Sequence, residues 1–130
     1  MNTLSTKVKN IIKKMQQNEL TESVIYTEIA KFAKGEENKK TLLRLAAEEK
    51  AHYEIWKGYT GIEMKPQKGK VWKYKMLAKI LGFTFAIKLM ENGEGNAQDE
   101  YALLFEEVEE SKQIRQQEEE HEEALLEMID

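Results

Sequence analysis

The chain has 130 residues, 34% charged and 41% hydrophobic, with a single proline, no cysteine and a net charge of −4. That length suits one domain around one core, and the composition favours helices over sheet. Without cysteine there are no disulfides, thiolate metal sites or cysteine nucleophiles, and the acidic balance gives a nucleic-acid partner no general support.

Lys7, Lys9, Lys13 and Lys14 punctuate the start with no apolar core after them, unlike a secretory signal. The most apolar window, Met76 to Met90, contains Lys79 and Lys88 and is too short to span a bilayer. A soluble, cytoplasmic chain is expected. Charge is uneven: Lys65, Lys68, Lys70, Lys73, Lys75 and Lys79 make the middle basic, and Glu106 to Glu127 is strongly acidic.

The first predicted helix runs from about Thr6 to Lys34. Val8, Ile11, Ile12, Met15, Glu19, Glu22, Ile25, Tyr26, Ile29 and Phe32 recur at three and four, one stripe of a helix interrupted by two acids. Gly35 is placed to stop it. A second helix spans about Glu36 to Tyr59, with Leu42, Leu45, Ala46, Glu49, His52, Tyr53 and Trp56 inward. Gly58, Gly61, Pro66 and Gly69 then mark a connection, and Gly61 to Lys75 looks like a long crossover. Within it Trp72, Met76, Leu77, Ile80 and Leu81 point to an amphipathic helix. The lysines there read as a solvated connection, or as a contact for anionic lipid headgroups or for an acidic face of another subunit.

A third helix is expected over about Phe83 to Glu107, with Phe85, Ala86, Leu89, Met90, Glu94, Tyr101, Leu104 and Phe105 available for the core. A fourth covers about Glu110 to Met128 and places Ile114, Glu118, His121, Leu125 and Met128 near one face. A dimer contact through Trp72, Met76 and Ile80 is the expectation from their apolar character.

Two short patterns carry chemistry. Glu49-Lys50-Ala51-His52 and Glu118-Glu119-Glu120-His121 both read Glu-x-x-His, and they use the only two histidines. Residues three apart share a helix face, so each copy presents a carboxylate and an imidazole together. A bundle that adds one Glu from each of two further helices to two such pairs makes a di-metal carboxylate site. Glu19 and Glu94 fill that part, because Glu19-x6-Tyr26 and Glu94-x6-Tyr101 repeat one spacing ahead of each Glu-x-x-His. Glu22 and Glu91 are their rivals within a turn. Tyr26 and Tyr101 either pack in the core or hydrogen-bond a ligand carboxylate and orient it. Glu48, Glu119, Glu120, Glu122 and Glu123 read as surface charges.

The doubled Glu…Tyr…Glu-x-x-His pattern resembles the ferritin-like superfamily, most closely the rubrerythrin-type di-iron domains, over nearly the whole chain. Within that group, Trp72, the Leu81 to Ala86 run and the Gly93-Glu94 pair are similar to domains fused to vacuolar-iron-transporter-type membrane proteins. The resemblance implies an all-α, ferritin-like four-helix bundle with one long crossover between the second and third helices. It implies two iron ions, with manganese as the alternative, held by Glu19, Glu49, His52, Glu94, Glu118 and His121. Glu49 and Glu118 would bridge the metals and each histidine would bind one.

Ferroxidase-type oxidation of Fe(II) by dioxygen or peroxide is the leading expectation, in iron storage, detoxification or delivery to a transporter. The alternatives are a non-catalytic iron-sensing or iron-delivery module of a membrane transporter, and a helical interaction domain without metal. In proteins of the fused arrangement a membrane domain follows the ferritin-like one, so the chain ending at Asp130 is either a short form or an excised domain. Two departures stand out. Ala97 occupies the place where rubrerythrins often carry a further glutamate, and the lack of cysteine removes the rubredoxin iron that feeds electrons to peroxide reduction.

Overall fold

The computed structural model describes residues 5–82, 84–90, 108 and 111–127, apart from the side chains of Glu122 and Leu126. These form α1 (Thr6–Ala30), α2 (Gly35–Thr60), α3 (Lys68–Leu81), a helical segment α4 over residues 84–90, and α5 (Ser111–Glu127); no strand occurs among the described residues. The described fold is all-α, in line with the composition.

α1 starts where Ser5 Oγ accepts the Val8 N–H at 3.2 Å, satisfying one of the open donors of the first turn. It closes at Ala30, four residues short of the expected Lys34. The N–H groups of Lys31, Phe32 and Ala33 turn to the carbonyls of Glu28, Ile29 and Ala30, a tighter i→i+3 winding that ends the helix. Gly35 therefore opens α2, at φ 80°, and does not cap α1. At the other end of α2, Gly61 takes φ 67° and its N–H reaches the Lys57 carbonyl, a left-handed cap suited to glycine.

The four-residue link makes α1 and α2 an antiparallel hairpin. Ser23 Oγ donates to the Ala46 carbonyl at 2.8 Å, and Thr60 Oγ1 donates to Gln16 Oε1 at 2.7 Å. The chain then doubles back along α1 as an extended strap, residues 61–67. Gln16 Nε2 donates to the Ile62 carbonyl, Gln17 Nε2 to the Lys65 carbonyl, and the Gln67 N–H to Thr21 Oγ1. The Met64 N–H is held by the Tyr53 hydroxyl at 3.0 Å. α3 continues in the same direction beside α1, with Lys75 Nζ 3.8 Å from Glu28 Oε2. The stretch expected to cross over is a strap over residues 61–67 followed by α3, which reaches Leu81.

Two apolar clusters form the core. One joins Ile25, Ile29, Leu42 and Leu45 to Ala86, Ile87, Met90 and Leu125; the other joins Val8, Ile12, Met15 and Trp56 to Val108 and Ile114. Along α1 the break between them falls at Glu19, along α2 at Glu49 and His52, and along α5 at Glu118 and His121. A polar layer is set between two hydrophobic halves.

Candidate metal centre

Glu19, Glu49, His52 and Glu118 are all buried, and each offers a ligand atom within 4.8 Å of the others. Helix spacing explains how each arrives. Glu49 and His52 are one turn apart on the only face of α2 that is buried, which comprises the seven residues expected inward. Glu118 and His121 stand likewise on α5, and Glu19 comes from α1, between Met15 and Ile25 on the buried stripe.

The two Glu-x-x-His copies meet crosswise. His52 Nδ1–H donates to Glu118 Oε1 at 2.8 Å, and His121 Nδ1–H donates to Glu49 Oε1 at 2.8 Å. Each histidine therefore pairs with the carboxylate of the other copy, 66 and 72 residues away. The rings lie 5.8 Å apart between centroids and within 18° of parallel. Other carboxylate oxygens crowd the same nitrogens: Glu19 at 3.7 Å and Glu49 at 3.8 Å from His52 Nδ1, and Glu118 at 4.0 Å from His121 Nδ1.

The outward nitrogens are also placed. His52 Nε2–H donates to Gln117 Oε1, and His121 Nε2 lies 3.3 Å from Glu48 Oε1. Gln117 and Glu48 are equivalent positions, each just before the Glu of one motif and each serving the histidine of the other. Glu48 was expected to be a surface charge; it pairs with Arg44 at 2.7 Å on its solvent side but also backs His121. No rule applied to one helix at a time finds this, because the partner lies on another helix.

Burial pushes the His52 pKa down, but the Glu118 hydrogen bond and charge, the Gln117 bond and the Glu48 charge together raise it above 6.5. His52 therefore takes up a proton more readily than a free imidazole, in a cluster whose carboxylates also suit a metal cation. The donor set fits such a cation. Buried carboxylates this close repel one another unless protonated or neutralised, and oxygen donors with imidazole nitrogen suit iron or manganese. The cluster can hold a metal ion.

Glu22, the rival of Glu19, is not part of the cluster. It lies by Tyr74 of α3, whose hydroxyl is pushed up by burial and by the Glu22 charge. Tyr26 is fully buried in the first apolar cluster. Glu94, its rival Glu91 and Tyr101 lie outside the described residues.

Comparison with protein families, curated proteins and solved structures finds no match for the chain. Its chemistry rests on the geometry above.

Proposed function

We propose that the chain is a di-iron carboxylate domain of ferritin-like type, a four-helix bundle with one long crossover, which binds Fe(II) and oxidises it. One observation carries this reading: two Glu-x-x-His motifs face each other crosswise in a buried layer, with Glu19 beside them. Glu49 and Glu118 lie at the junction of the two motifs and are suited to be shared. His52 and His121 would each offer Nδ1 to one ion; His52 Nε2 is bonded to Gln117, and Glu48 Oε1 lies 3.3 Å from His121 Nε2. Glu94 is assigned, with Glu19, to the remaining coordination positions. Iron held there would supply one electron per Fe(II), with dioxygen or peroxide as the acceptor. The protein fixes the donors, excludes bulk water and neutralises its own carboxylates on loading.

The second reading is a carrier that binds Fe(II) without turnover and hands it to a membrane iron-transport partner. Anaerobic loading with Fe(II) tests both. About two irons per chain, lost in the His52→Ala, His121→Ala double variant, supports the centre; no stoichiometric iron overturns it. Rapid oxygen consumption on admitting air then selects oxidation, and stable reversible binding selects the carrier.

A further inference from the structure

α3 turns its small residues and its ring toward α1: Ala78 is buried, and Val71 and Tyr74 pack partly against the same core cluster. Its opposite side is apolar where a solvated helix would be polar. Trp72, Met76 and Ile80 follow one another at steps of four, a continuous stripe; Trp72 is 64% and Ile80 69% exposed. Two further apolar side chains, Leu81 and Phe85, stay exposed where α3 gives way to α4. Turning 100° per residue, Lys68, Lys75 and Lys79 line one side of the stripe, and Lys73 and Lys70 the other. Of these, only Lys75 has an acidic partner among the described residues, Glu28.

We infer that this outer face of α3 docks on a membrane surface rich in anionic lipid. An apolar stripe with cations on both flanks is what an interfacial helix needs. The stripe enters the headgroup boundary, and the lysine stems lie along it with their ammonium groups among the phosphates. Charge decides against the other simple occupant, a second copy of this chain. A two-fold contact pairs the face with itself and sets lysine flank against lysine flank, an arrangement of like charges with nothing to offset them. An anionic surface attracts both flanks at once. The inference is independent of the metal centre, since none of these residues belongs to it.

The full chain carries its own probe. Trp56 is fully buried and Trp72 largely exposed, so a shift of emission on adding vesicles reports Trp72. Vesicles of phosphatidylcholine doped with phosphatidylserine should move the emission to the blue and carry the protein down on sedimentation; pure phosphatidylcholine should do neither to a comparable extent. Replacing Lys73→Ala and Lys79→Ala together should weaken binding about 25-fold, about fivefold for each lysine near such a surface. Added salt should weaken the parent likewise. These two residues are exposed, so the variant's helical content should equal the parent's. Equal binding to both vesicle types, no binding to either, or a dimer in solution that Trp72→Ala dissociates would each overturn the inference.

Discussion

Replacing Glu49→Gln separates a metal centre from an ordinary buried ion pair, because the two predict opposite results for the metal-free protein. Glu49 is wholly buried, 2.8 Å from His121 Nδ1 and 3.8 Å from His52 Nδ1. In a structural pair, removing one charge strands the other and costs about 3–5 kcal/mol. In a metal centre the metal-free state is already over-supplied with negative charge, three buried carboxylates converging among two imidazoles. The amide keeps an oxygen to accept the His121 N–H and relieves one repulsion, so the apo protein should change by about 1 kcal/mol or less. The loaded protein should lose far more. Metal at about 100 times its Kd stabilises a native-state site by about 2.7 kcal/mol, or roughly 10 °C in Tm for a chain of this length. Most of that shift should vanish in the variant, while Glu120→Gln, on the exposed side of α5, should keep it. Thermal melts with and without Fe(II) or Mn(II) give both numbers. An apo variant several kcal/mol weaker, combined with a parent melt that metal does not move, would refute the argument.

Four other substitutions probe the surroundings. Glu48→Ala and Gln117→Ala should each lower metal affinity about tenfold, measured by anaerobic titration calorimetry, by letting His121 or His52 rotate; unchanged affinities would remove both from the centre. His52 has a raised folded pKa, so its charged pairing with Glu118 stabilises the apo protein fully below pH 6.5. That contribution is lost as pH rises through the folded value. Urea melts across this range should therefore show a falling stability that His52→Asn flattens, and parallel curves for the two would contradict it. Gln16→Ala should cost about 1–3 kcal/mol in the same melts, since Gln16 is fully buried and binds both Thr60 Oγ1 and the Ile62 carbonyl; a loss near zero would mean the strap holds without it.

How far the sequence could be read depended on whether a feature lies within one helix. The face of α2 was legible in full, because Leu42, Leu45, Ala46, Glu49, His52, Tyr53 and Trp56 announce themselves by period alone. Glu19 was separable from Glu22 only through the repeated distance to a tyrosine, and the structure places Glu19 in the cluster. The end of α1 was misplaced by four residues because no glycine or proline marks Ala30; the stop is made by backbone bonding in the link, with Gly35 serving the next helix. Gln16 and Thr21 were passed over as polar. Their partners lie in the strap and at the end of α2, more than forty residues away. Glu48 was misjudged for the same reason, its second partner being on α5. Period identifies what a helix buries, and it is silent on what reaches across to meet it.

The crosswise pairing makes the centre a property of the whole chain and of neither half. His52 finds its carboxylate on α5, and His121 finds its own on α2, so an α1–α2 hairpin that has folded alone has half of each pair and no complete donor set. Assembly and competence then coincide: a chain with α5 undocked presents no site in which an ion is gripped. Any metal ion gripped by this cluster would thereby be kept from partly folded molecules, and its occupancy would count the molecules in which α5 has docked.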